Sequence, residues 1–287
     1  MMIEYRSPTA VSPLSGKAKT IAVAICLLLG GTAVFICGNP YYRVFATNWN
    51  QTYYIALAAT FLVGAFILRR NHSLARYGTA VNALFIAAAA LVSLKTGLIR
   101  LHHSSMPPMQ NLALDKLSQF MLITPILLGL TWLAGDNWAS IFIKLGNWKR
   151  SLRFGLLWFF IFAAVGLAIQ LWAMDAASIW PTVPYQLLYI FANATMEELW
   201  FRGIFLRKYA VLIGRTGAIL VTAVIFGASH ISATYYFPGG GVIFGLVVFA
   251  LGVVGAHAML KDDSLIGPIL FHAGYDIMII VPVINSM

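Results

Sequence analysis

Charge is what this chain has least of. Only 10% of its 287 residues are Asp, Glu, Lys or Arg, against about a quarter in a soluble domain. Hydrophobic residues make up 60% of the chain, and mean hydropathy is +0.83. This balance excludes a soluble globular domain. It also excludes nucleic acid as a partner, because no Lys/Arg-rich soluble domain exists to hold it. There are two cysteines, Cys26 and Cys37. Both fall in the first apolar run, so neither a disulfide framework nor a cysteine-based zinc cluster follows, and both read as packing residues. No 20–50-residue repeat is present. No GxxxxGK[ST] loop occurs, so the glycines of "PGGG" and "GLVVFALGVVG" serve a turn and close helix packing. A basic stretch precedes the first apolar run, but no A-x-A cleavage site follows it, and the run reads as an uncleaved span.

What is present is a series of long apolar runs. A bilayer core about 30 Å thick needs about 20 such residues per helix. Nine candidate spans follow: 21–38, 52–68, 79–98, 117–134, 152–172, 185–206, 217–237, 242–260 and 265–284. The fold class is therefore all-α, a polytopic membrane helix bundle of about nine transmembrane helices. The stretch 231–237 reads either as the outer end of its span or as a re-entrant loop. Residues 1–19 read as a mobile polar cytoplasmic tail, 20–173 as N-terminal membrane helices, and 174–287 as the part that carries chemistry, all within one membrane domain. Basic residues set the orientation. With the N-terminus inside, the cytoplasmic segments include Arg69, Arg70 and Arg76, then Lys144, Lys149, Arg150 and Arg153, then Arg207, Lys208 and Arg215, and then Lys261. The outer loops hold Arg43, Lys95, Arg100 and Lys116, with Lys95 near enough to a span end to snorkel outward. The expected location is the cell (inner) membrane, N-terminus in and C-terminus out. The net charge of +10 is then directed at the lipid bilayer, whose cytoplasmic leaflet attracts basic segments.

Ionisable residues are unevenly spread. Glu197, Glu198, Arg202, His230, His257, His272 and Asp276 all lie in the last four spans. A charge at a helix centre costs about 2.5–3.5 kcal/mol on insertion scales, so three charges in "MEELWFR" need partners. Glu198 and Arg202 are i,i+4 and share a helix face, which suits an ion pair. Glu197 points about 100° away from Glu198 and is left over. Phe226 and His230 in "FGASH" share a face, as do His272 and Asp276 in "FHAGYD". At about 1.5 Å per residue, Glu197, His230, His272 and Asp276 all fall in the middle band of the core. A carboxylate beside a histidine can activate water, and a second histidine with a polar neighbour can stabilise an oxyanion. The same four residues are acceptable Zn2+ ligands with one position open for water. Either chemistry is hydrolysis inside the membrane. His257 has no matched partner and reads as a core histidine, while His102 and His103 read as solvated loop residues.

"EELWFR" fits an EExxxR motif, "FGASH" an FxxxH motif and "HAGYD" an HxxxN/D motif. In order and in separate membrane helices, they resemble the CPBP family of intramembrane endopeptidases, also called CAAX-protease-like or Abi proteins. The resemblance spans about residues 185–284. It implies an endopeptidase acting on membrane-associated or lipid-modified protein or peptide substrates. It implies Glu197 as the base for water, assisted by His230, with His272 and Asp276 as the oxyanion site and Glu198, Arg202 and Phe226 in support. It implies no required cofactor in the glutamate-type mechanism. Asp276 stands where well-studied members carry Asn, which keeps a Zn2+ site on Glu197, His230, His272 and Asp276 open. Two rivals use other functions: a non-catalytic scaffold or immunity protein of the same fold, and a proton-coupled transporter with Glu197 as relay. The transporter lacks a counterpart to "MEELWFR" in the first half of the chain. The hydrolytic reading requires Glu197 to lie within about 10 Å of His230 or His272, since general-base work needs contact within one water.

Overall fold

In hydrocarbon, only a helix satisfies every backbone polar group within its own segment, and each long apolar run accordingly becomes one. The computed structural model describes residues 16–38, 50–232 and 240–285. Helix α1 covers Lys17–Thr32 and runs on as a π turn, Ala33–Cys37. Then come α2 (Asn50–Arg70), α3 (Ala75–Lys95), α4 (Pro108–Leu133) and α5 (Trp148–Ala173). A short α6 (Ala176–Ile179) is capped by the Asp175 side chain. The last four are α7 (Val183–Glu197), α8 (Leu206–His230), α9 (Gly240–Asp262) and α10 (Ile266–Asn285). Among the described residues there is no strand, and eight helices are long and apolar enough to cross a membrane.

The sixth expected span is the one that differs. Instead of one helix over 185–206, α7 stops at Glu197 and a π-helical turn, Glu198–Gly203, follows. The Ile204 amide reaches back to the Leu199 carbonyl, five residues away. Such single wide turns recur at functional sites. The seventh span begins earlier than expected, because α8 already starts at Leu206. Gly214, at φ 75°, breaks α8 internally, a conformation that glycine adopts without steric cost. Helix α8 ends at His230, and the rest of the 231–237 stretch beyond Ser232 lies outside the described residues, as do Arg43 and most of the N-terminal tail.

Helix pairing is set by small residues. Helix α5 lies along α10, α2 along α3, α8 along α9, and α4 along α7. A methyl group on Gly155 would fall 2.9 Å from the Gly267 Cα, and one on Gly166 would fall 2.5 Å from the Ile277 carbonyl oxygen. On the other seam, a methyl on Gly227 would meet the Gly245 carbonyl oxygen at 2.6 Å. Backbones that approach this closely give packing its grip where lipid removes the hydrophobic drive. The α5–α10 seam joins a helix that ends before residue 174 to one that follows it. At one end, ion pairs tie the connecting segments together: Lys144 and Arg207 to Asp263, Arg150 to Asp262, and Lys208 to Asp136.

Because the obstacle at Gly166 is backbone, no rotamer change relieves it. Gly166→Leu is expected to lower the thermal midpoint of the detergent-solubilised chain by several degrees, read by a fluorescence melt, as overpacking by 1–3 kcal/mol would. An unchanged midpoint would contradict the close α5–α10 contact.

Candidate active site

The π turn organises the site. Its first residue, Glu198, and its fifth, Arg202, face each other, and both guanidinium Nε and Nη2 bond the carboxylate. Arg202 is fully buried and Glu198 nearly so. The guanidinium carbon also sits 4.4 Å from the Phe226 ring centroid, a cation–π contact that gains strength away from water. Glu198 takes one further bond, from His272 Nδ1 at 2.9 Å. A residue on α7's π turn therefore fixes the ring of a residue on α10 and turns its Nε2 outward.

Glu197 faces another direction, toward α4, α8 and α10. Its Oε2 lies 3.7 Å from His230 Nε2 and 3.7 Å from His272 Nε2. The two histidines are thus well inside the limit that hydrolysis requires. His230 donates from Nδ1 to the Phe226 carbonyl at 2.8 Å, which leaves its Nε2 directed at Glu197. Asp276 Oδ1 stands 3.7 Å from His272 Nε2. Glu197 Oε2 therefore meets a histidine from each of two other helices, and Asp276 joins the group through His272 Nε2.

Two residues here were not expected from sequence. Asn193 is one turn before Glu197 on α7, and its Nδ2 donates to Asp276 Oδ2 at 3.0 Å. The i,i+4 spacing that pairs Glu198 with Arg202 also places Asn193 on the Glu197 face. Lys116, expected in an outer loop, lies inside α4 instead, with Nζ 3.8 Å from Glu197 Oε1. The helix starts at Pro108, suited to the first turn because it lacks an N–H, and so reaches past the charged residues. Lys95, expected to snorkel outward, closes α3 and lines a cavity with Lys116. His257, expected in the core, is exposed on α9.

A cavity of about 240 Å³ contains the site, with Lys116, Asn193, Glu197, His230, His272, Tyr275 and Asp276 in its wall. Glu197 Oε2, Asn193 Oδ1 and Tyr275 Oη are buried there without a hydrogen-bond partner among the described residues. Each such atom costs about 1–3 kcal/mol when unmatched. A second cavity of about 350 Å³ shares Lys116, Gln119, Glu197, Ser229 and His230, and extends among Phe35, Tyr54, Leu91, Trp200 and Phe201. As for zinc, among the described residues no group of three or more His, Cys, Asp or Glu side chains is disposed to hold a metal ion.

Residues 155–278 match the family described as type II CAAX prenyl endopeptidase Rce1-like. The matched segment is similar to that family over its whole length. It is less than half of the chain, and it starts earlier than the motifs suggested, taking in most of α5. All of the expected site residues fall within it, as does Asn193, whereas Lys95 and Lys116 lie outside it. The Rce1-like match supports a protease at the level of the family, in a multi-pass helical membrane protein. No curated protein and no solved structure matches the chain.

Breaking a buried ion pair by removing one partner is costly, about 3–5 kcal/mol. Arg202→Met should therefore destabilise the chain strongly in a detergent melt, and Glu198→Gln/Arg202→Met should recover most of the loss. Equal melting of the single and double variants would contradict the pair's role.

Proposed function

We propose that the chain is an intramembrane endopeptidase that hydrolyses peptide bonds of membrane-associated or lipid-modified proteins. The observation that supports this reading most directly is the buried Glu197 Oε2, placed between two imidazole Nε2 atoms in a cavity with room for a peptide. In the proposed reaction, Glu197 takes a proton from a water that His230 helps to orient. The hydroxide adds to the scissile carbonyl carbon, and the carbonyl electrons move to oxygen. His272 Nε2 and the nearby Lys116 ammonium supply positive charge for that oxygen, the kind of fixed electrostatic help that acts strongly away from water. The proton on Glu197 then passes to the departing amine as the C–N bond breaks. Asn193 and Asp276 orient one another and the His272 edge of the cavity. Arg202 and Glu198 hold His272 without touching substrate.

The two cavities share a wall at Glu197 and His230 and would divide a substrate between them. The one at Asn193 and Asp276 offers polar groups to the peptide, and the one at Phe35, Trp200 and Phe201 offers aromatic walls to an apolar side chain or lipid group. All of these steps use side chains of the chain itself, so Zn2+ is not required in this reading.

The test is cleavage of lipid-modified C-terminal peptides by the purified chain in vesicles, followed by mass spectrometry. Cleavage should persist in a strong chelator, and His230→Gln should lower kcat/KM by about 10²–10⁴, the usual contribution of acid–base help. Chelator-sensitive cleavage would bring in a metal. Proton flux through the same vesicles with no cleavage of any peptide would favour the transporter.

Lys116→Met should reduce kcat by about tenfold or more with little change in KM, since its proposed role belongs to the transition state. A change confined to KM would assign Lys116 to substrate binding instead.

A further inference from the structure

A third cavity, of about 550 Å³, opens among α5, α8 and α9 and shares no lining residue with the two at Glu197. Its walls are apolar and its end is basic. Phe154, Leu220 and Val254 line the sides, and Leu220 and Val254 are 46% and 41% exposed, on a face that meets hydrocarbon in a membrane-spanning chain. Arg150, His257 and Lys261 gather at the end where the ion pairs lie. His257 and Lys261 are i,i+4, so they stand on one face of α9 about 6 Å apart along its axis. Neither side chain makes an ion pair or hydrogen bond with the described residues.

The charge balance decides what can enter. Asp262, the acidic residue in the wall, is already bonded by Arg150 Nε, and Arg150 Nη2 donates to the Lys261 carbonyl at 2.6 Å. Asp263 next to it is bonded by Lys144 and Arg207. Among the described residues no free carboxylate lines the opening, and Lys261 leaves a net positive end. An apolar slot with a cationic end matches one molecule that every membrane supplies. We propose that this groove binds an anionic phospholipid, with the phosphate at Lys261 and His257 and an acyl chain along Phe154, Leu220 and Val254. A zwitterionic lipid would bring its own cation toward Lys261. A soluble phosphate would leave the apolar walls unused. The lipid would clamp α9 against α5 and α8. Helix α9 carries Gly255, where an added methyl would lie 3.5 Å from Arg202 Nε, so the clamp bears on the helix that backs the buried ion pair.

The experiment uses the full chain in nanodiscs of equal parts phosphatidylglycerol and phosphatidylcholine, with lipid retained after detergent transfer counted by native mass spectrometry. The native chain should keep phosphatidylglycerol over phosphatidylcholine by about fivefold or more, the scale of one basic group at a lipid surface. Lys261→Gln/His257→Gln should bring that ratio near one, and Val254→Trp, which fills the slot without changing charge, should lose retained lipid of both kinds. Lys19→Gln, an exposed basic residue on α1, should leave the ratio unchanged. A native ratio near one would overturn the proposal. So would a ratio that survives both the charge and the slot variants, or one that Lys19→Gln lowers as much as the groove variants do.

Discussion

An ionised carboxylate and a guanidinium cannot stand alone in hydrocarbon, and the bonding of Glu198 to Arg202 is the constraint on which the rest of the site depends. The pair forms within one π turn, so its bonding needs no residue from another helix. Once closed, it still has capacity. The carboxylate accepts a hydrogen bond from His272 Nδ1, which brings in α10. The guanidinium takes the face of Phe226, which brings in α8. Helix α9 completes the enclosure by presenting Gly255 where a larger residue would press on the pair. Each attachment also positions something else. Fixing His272 turns its Nε2 outward, and fixing Phe226 supplies the carbonyl that His230 uses. Glu197 is excluded from this bonding by a single residue's rotation and faces the cavity instead.

Much of this was visible in the residues, and the failures have physical causes. The apolar runs mark helices because nothing else crosses hydrocarbon, and only their ends drift, since helices continue into the polar boundary. The break after Glu197 was hidden because an inserted residue in a π turn leaves apolar spacing nearly unchanged. Lys116 was misplaced because charge reads as loop, although the proline at 108 marks a possible helix start further back. Asn193 could have been found by the same i,i+4 rule that paired Glu198 with Arg202. His257 could not be oriented at all, because α9 is apolar on every side and carries no stripe to show which face turns inward. That Glu197, His230, His272 and Asp276 meet is a property of helix packing, which spacing along the chain does not encode.

The chemistry and its access have different origins in the chain. The Rce1-like segment carries the proposed base, both histidines, Asp276 and the pair that holds them. Helices α1 to α4 lie before it and add Phe35, Tyr54, Leu91, Lys95 and Lys116 to the cavity walls. In the proposed function, a substrate in these cavities touches walls that lie partly outside the matched segment.

The central claim is that Glu197 activates water for cutting membrane-associated proteins. The most direct measurement is a comparison of protein termini in membranes and secreted material from cells carrying the native chain or Glu197→Gln at matched abundance. The account predicts specific new termini in the first that vanish in the second, which would identify the substrate and the cut site together. Identical termini under several growth conditions would contradict it, and would leave the buried glutamates with a structural role alone.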